Sequence, residues 1–316
     1  MRSYEKIDII EVYFNYLHQR KEVAEISRIK TYHLGRTIKN IRLERNMTRL
    51  ELAQDICSDK YILMIEKGER NPSNFILSKL SDKLNANLTD LEMYENCIEP
   101  VKVRDYYNKF TLYRGLFKID ELKTITEEAL KMTDFQSLPW NSEIIINNAY
   151  ILIAKDRNIN EAIRIIHEGI VKLAEYRNID IGFQLRLKLH KALFYQHLHN
   201  HKEALNLIEE LFKKSHKSID ARFIRIHGDI IYYWIQMYLG NCKDLLKNGQ
   251  ELLEEIKTAG FYTTTPKFYM LLAMAYHKNN EVELSRSYLE KAFQNFQLED
   301  TDPSFINMLK GFFKDY

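Results

Sequence analysis

Glycine and proline are scarce in this 316-residue chain, ten and five respectively. That is too few to punctuate a β-rich fold with many tight turns. The prolines (Pro72, Pro100, Pro139, Pro266, Pro303) all fall between stretches of helical period, where a missing N–H does least harm. The expectation is an all-α protein. Cysteine is nearly absent too: Cys57, Cys97 and Cys242 are far apart and odd in number, which fits neither a disulfide framework nor a zinc motif. A reducing cytoplasm is their natural setting. A dominant charge sign is also missing. The formal net charge is +2, so any electrostatic footprint for a nucleic acid must be local. No run of eighteen apolar residues occurs, which excludes an ordinary membrane-spanning helix. The opening MRSYEKIDIIEVYF carries acidic residues inside its apolar part and lacks a small-residue cleavage site, unlike a secretory signal. A soluble, cytoplasmic protein with no cofactor and no membrane partner is expected.

Three regions follow from the spacing. Residues 1–32 read as a helical extension, with Ile7, Ile10, Phe14 and Leu17 forming one apolar stripe for packing or a dimer contact. Residues 33–96 read as short helices with tight joints. Thr48 and Glu51 form a Thr-x-x-Glu capping box, Ser58 caps the next helix, Gly68 can end it in the left-handed conformation, and Thr89 can cap a fifth. From residue 101 to 316 the helices lengthen and pair. Ala162, Ala204, Leu245 and Ser285 fall in register at separations of 42, 41 and 40 residues, the mark of a right-handed helical solenoid. SFINMLKGFFKDY then presents one apolar face suited to capping the array.

Within the second region, Arg49 to Ile56 and Asp59 to Lys67 have the lengths of a steadying and a recognition helix. Leu50, Leu52, Ala53, Ile56, Ile62 and Ile65 can supply their shared core. Asp59, Lys60, Tyr61 and Met64 then point outward. Between Arg28 and Arg70 there are ten basic and six acidic residues, so positive charge concentrates here. The order IR, T-x-x-E-L-A, IEKGER, NP resembles the Xre/Cro-type helix-turn-helix family, especially its branch fused to tetratricopeptide repeats. That resemblance implies binding of double-stranded DNA through Arg36, Lys39, Thr48, Arg49, Ser58, Asp59, Lys60, Tyr61, Met64, Lys67 and Arg70. It also implies a structural ion pair between Arg42 and Glu66. The chain departs from the family in having Arg49 where Gln is usual, and Leu63 and Met64 where Ser and a basic residue are usual. Met64 cannot donate to a guanine edge, so base readout rests on few hydrogen bonds.

In the third region, Tyr269-x2-Leu272-Ala273-x2-Tyr276 followed by Ser285, Leu289 and Ala292 resembles the tetratricopeptide pattern. Counting from the register residues gives an inner wall of apolar residues with polar groups among them: Asn147, Arg186, Gln196, His227, Trp234, Lys267 and His277. That composition suits a short, partly hydrophobic peptide held in a groove. An Xre-type head followed by about five such repeats resembles the RRNPP peptide-pheromone receptors, the PlcR-like branch more than the Rgg branch. The resemblance implies a homodimeric quorum-sensing transcription regulator whose repeats bind a signalling peptide. The competing reading is a regulator or adaptor whose solenoid grips a partner protein.

Other signals carry less. His197, His199 and His201 in HLHNH straddle an inter-helix turn with no acidic or cysteine partner in helical register, and read as a solvated tip rather than a metal site. No Gly-rich phosphate loop and no nucleophile–base arrangement exist, so no enzymatic role is expected.

Overall fold

The computed structural model describes residues 34–84, 97–176, 179–218 and 220–313, and these divide into two compact units, Met1–Asp105 and Tyr106–Tyr316. The apolar stripe expected at residues 7–17 and the cap expected at Thr89 lie outside the described residues. All regular structure among the described residues is helical.

Among its described residues the first unit has four short helices ahead of residue 97: α1 (34–44), α2 (Arg49–Ala53), α3 (Asp59–Glu66) and α4 (Asn74–Leu84). The boundaries of α2 and α3 have local causes. At Thr48 the hydroxyl accepts the Glu51 N–H while the Glu51 carboxylate accepts the Thr48 N–H, closing a capping box. Ser58 Oγ accepts the Tyr61 N–H and starts α3. Gly68 ends it at φ +70°, a conformation that costs glycine nothing. Helix α2 is shorter than the expected Arg49–Ile56, because Gln54 leaves the helical region and Asp55 turns left-handed at φ +64°. Ile38, Ile41, Leu52, Ala53, Ile62, Ile65, Leu80 and Leu84 form the buried interior. Leu50, expected among them, is 71% exposed. Leu52 already occupies the inner side, and two helical steps carry Leu50 about 200° away from it.

The second unit is a series of antiparallel helix pairs, beginning within α5. They are α5 (Pro100–Gly115) with α6 (Ile119–Ala129), then, after a four-residue α7 (Thr133–Gln136), α8 (Asn141–Asp156) with α9 (Ile159–Ala174). Three more follow: α10 (Ile181–His197) with α11 (His201–Lys214), α12 (Ala221–Tyr238) with α13 (Lys243–Thr258), and α14 (Thr265–Lys278) with α15 (Val282–Leu298). Helix α16 (Pro303–Phe312) ends the array. The register residues Ala162, Ala204, Leu245 and Ser285 are all buried on second helices, where a small side chain or the closest approach is needed. The repeat is also written in the backbone. The turn inside each pair uses one left-handed residue: Phe117, Arg157, His199, Gly240 and Asn280. His199, the centre of HLHNH, is therefore a turn residue.

The first helices α10 and α14 bury residues all round, whereas second helices such as α9, α11 and α13 bury a single stripe. That asymmetry is what a two-layer array requires, its inner helices being packed on both sides. Ile306 and Leu309 of α16, with Phe313 just beyond it, join the cluster formed by α12 to α15 and close its open end.

Candidate nucleic-acid interface and ligand groove

In the first unit, α1 is held hard against α3. Arg42 donates from Nε to Glu66 Oε1 at 2.6 Å and from Nη2 to Glu66 Oε2 at 3.1 Å, and both side chains are buried. A third bond, Arg42 Nη1 to the Met47 carbonyl at 2.7 Å, ties the same guanidinium to the turn before α2. A Cβ on Gly35 would lie 1.9 Å from the Ile65 carbonyl oxygen, so only glycine permits this approach. Lys83 of α4 caps the turn after α2 by donating to the Gln54 carbonyl at 2.7 Å. The short helices are thereby fixed by charge-assisted bonds as much as by their small apolar core.

This frame leaves the expected DNA-facing residues accessible. Arg36, Lys39, Thr48, Ser58, Lys60, Lys67 and Arg70 are exposed, and Arg49, Asp59, Tyr61 and Met64 are half-buried. Arg49 Nε sits 3.3 Å from Asp59 Oδ1, linking the first turns of α2 and α3. The departure of Arg49 from the family's usual Gln has a local use: it offsets the one acidic side chain at the start of α3.

In the second unit the inner helices carry a buried ionic network. Glu143, with no solvent access, accepts from Arg114 Nη2 at 3.0 Å and from Arg186 Nε at 2.9 Å. Arg186 also pairs with Asp220, and its guanidinium lies 4.4 Å from the centroid of the Phe183 ring and 5.4 Å from that of Tyr107. Arg114 Nη1 donates to Asn147 Oδ1 at 2.9 Å, and Asn147 Nδ2 donates to Thr126 Oγ1 at 3.0 Å. Burial pushes the Tyr107 hydroxyl up.

Beyond this network lie half-accessible polar groups. Tyr150 Oη is 3.1 Å from His190 Nδ1; burial pushes the tyrosine up to about 12 and the histidine well below its usual value, with Arg114 and His227 adding to the latter. His227 Nδ1 lies 2.9 Å from the Phe223 carbonyl, which can only accept, so this nitrogen carries the proton. Its Nε2 then accepts from Thr264 Oγ1 at 3.2 Å. Burial lowers His227 to about 4, which keeps the ring neutral. Lys267 donates to the Gly115 carbonyl at 2.8 Å, and burial brings it down to about 8. These four side chains are half-buried.

Residues 38–91 match the helix-turn-helix family (HTH_3). The first unit carries a helix-turn-helix domain. No curated protein matches the chain. Among solved structures, PlcR of Bacillus thuringiensis in complex with the peptide PapR7 and DNA superposes with a TM-score of 0.60 at 15% identity, covering 90% of this chain and 100% of that one. The chain therefore has that fold, a helix-turn-helix domain followed by a helical repeat array. ComR of S. thermophilus with DNA and its signalling peptide ComS gives a TM-score of 0.49 at 20% identity over 86% and 95% of the two chains. Rgg2 of Streptococcus dysgalactiae, described as a pheromone receptor, gives 0.40 at 16% over 90% and 100%. No helix among the described residues is long and apolar enough to cross a membrane.

The residues expected on the groove wall of the repeat array divide into two sets. Trp234, Lys267 and His277 are half-buried, Trp234 packing against the cluster of α12 to α15 and Lys267 donating to the Gly115 carbonyl. His227 is also half-buried, but both ring nitrogens are engaged within the protein. Asn147, Arg186 and Gln196 correct the expectation. Asn147 is fully buried with both amide atoms bonded, Arg186 is 2% exposed and paired with two carboxylates, and Gln196 is buried. Their inward direction was legible, but direction does not reveal depth. Sequence reasoning missed Arg114, Glu143, Asp220, Tyr150 and His190. A usable signal existed, since Glu143 and Arg186 stand 43 residues apart and Tyr150 and His190 stand 40 apart. One repeat of spacing makes such residues spatial neighbours, so opposite charges one period apart on first helices are candidates for a buried pair.

Proposed function

We propose that the chain is a cytoplasmic transcription regulator. Its helix-turn-helix domain binds double-stranded DNA, and its repeat array senses a short peptide in the groove lined by Tyr150, His190, Trp234, Lys267 and His277. The observation that carries the reading is the joining, in one chain, of a helix-turn-helix domain with exposed cations to an array whose interior holds half-accessible aromatic and polar groups. The fold it shares with PlcR, whose structure contains both a peptide and DNA, supports the same assignment. Arg36, Lys39, Lys60, Lys67 and Arg70 would contact phosphates, while Tyr61 and Met64 would meet thymine methyl groups and base edges. Two copies would bind together, each reading one half-site.

A ligand shifts such a regulator only by binding one conformation better than another. Salt titration of binding to duplex fragments from the region upstream of the gene tests the DNA half. Log affinity should fall linearly with log salt, and Lys60→Ala should reduce that slope by about 1. Affinity insensitive to salt rejects the DNA reading. A pool of synthetic heptapeptides tests the sensor half: bound peptides should quench or shift the emission of Trp234, and capture of a folded protein instead of any peptide assigns the array to adaptor duty.

A further inference from the structure

In an open helical array each pair touches only its neighbours. The second unit breaks that rule at one seam. The turn between α5 and α6, residues 115–118, meets the opposite end of the array through six separate contacts. Lys267 Nζ donates to the Gly115 carbonyl across 152 residues of sequence. The Asp302 N–H donates to the Leu116 carbonyl at 3.1 Å. The Phe117 ring stacks on Phe305 of α16, with centroids 3.6 Å apart and planes 17° apart, and Lys267 Nζ lies 4.8 Å from the Phe117 centroid. Lys118 pairs with Asp300 across 182 residues. Gly115 itself is packed so closely on Thr263 that an added Cβ would lie 2.5 Å from the hydroxyl oxygen.

The backbone at this seam is unusual in the same place. Phe117 holds φ +59°. The equivalent turns in the other pairs use Arg157, His199, Gly240 and Asn280, of which glycine and asparagine accept the left-handed region readily. A bulky aromatic residue is disfavoured there and persists only where its surroundings hold it. Here the surroundings are Phe305 and Lys267. The Lys267 charge also bears on His227 of α12, which ties the seam to the proposed groove.

We propose that this seam is a latch: the 115–118 turn clasps α14 and the 299–305 segment, closes the array on itself, and parts to admit ligands to the groove behind Lys267. The second half of the proposal rests on the ligand-groove reading; its test does not need the ligand. Phe117→Asn is the decisive variant, because asparagine suits the left-handed turn, as at Asn280, while removing the stack and the contact with the ammonium. Two rates are measured on the full chain: deuterium exchange of the 299–305 segment, which contains the Asp302 amide, and acetylation of Lys267 by the N-hydroxysulfosuccinimide ester of acetic acid. Both should rise at least tenfold together, with exchange in α10 and α12 unchanged. Lys118→Glu should act in the same direction, and adding Asp300→Lys should restore slow exchange. Unchanged exchange at 299–305 overturns the latch. An equal rise across all helices of the unit overturns it too, since the variant would then act on global stability. Faster exchange with unchanged acetylation overturns the gating role.

Discussion

Replacing Glu143 by Gln removes the centre of the ionic network on the inner helices. The carboxylate bonds two guanidiniums in a place without solvent, so the amide leaves Arg186 paired with Asp220 and Arg114 bonded to the Asn147 amide oxygen, and turns a donor toward a donor. Breaking a buried pair from one side costs about 3–5 kcal/mol. Arg186 keeps Asp220 and Arg114 keeps Asn147, which places the expected loss near the lower end, about 3 kcal/mol. With a urea dependence of about 2–3 kcal/mol per molar, the unfolding midpoint of the repeat unit falls by about 1 M. Trp140 is the reporter, since its indole is buried 5.0 Å from Phe183 and 6.2 Å from Phe135 by ring centroids. The only other tryptophan is Trp234, in the same unit, so a Trp234→Phe background makes the emission report Trp140 alone. The combined change Arg114→Met, Glu143→Leu, Arg186→Met should restore most of the loss, because apolar groups of similar volume need no partners. A midpoint shift below about 0.3 M for Glu143→Gln would show that water reaches the network and that burial has been misjudged.

Further tests address single features. Thr48→Ala removes the hydroxyl half of the capping box and should destabilise the helix-turn-helix domain by about 1 kcal/mol, read as a fall in its thermal midpoint; no fall would mean the first turn of α2 is held by packing alone. Gly35→Ala forces a Cβ into the Ile65 carbonyl and should abolish DNA binding while leaving Trp140 emission unchanged. Wild-type affinity in that variant would mean α1 can move away from α3 without cost. His227 is held neutral in the fold, with its pKa brought from 6.5 to about 4 by burial, whereas the unfolded chain takes up a proton below 6.5. Its contribution to stability is therefore complete above pH 6.5 and is lost as the pH falls toward 4. The gap in melting temperature between wild type and His227→Gln should narrow over that interval, and a gap independent of pH would refute the neutral tautomer.

Local chemistry was legible in the sequence wherever the cause lies within one turn. Thr48 with Glu51, Ser58 and Gly68 mark boundaries that the structure shows to the residue. The repeat register was legible because Ala162, Ala204, Leu245 and Ser285 must be small or closely packed where helices meet. Depth within the groove wall was not legible. Helical spacing gives the side on which Asn147 and Arg186 lie, but a polar group on that side is either solvated or paired, and the partner comes from another repeat. Leu50 failed for a related reason, since a five-residue helix has too little pattern to separate its inner side from its outer one. The contacts of Phe117, Lys118 and Lys267 lie furthest from reach, because no local spacing encodes an approach between residues more than a hundred apart.

Closure also fixes number. An open array can gain or lose a helix pair and merely become longer or shorter. In this unit the Leu116 carbonyl meets the Asp302 amide only if the intervening pairs sum to one particular rotation and rise. An added unit of forty residues would carry the last cap past its counterpart on the first turn. The count of repeats therefore behaves like the circumference of a ring, and change in this unit is confined to altering residues within a fixed set of pairs.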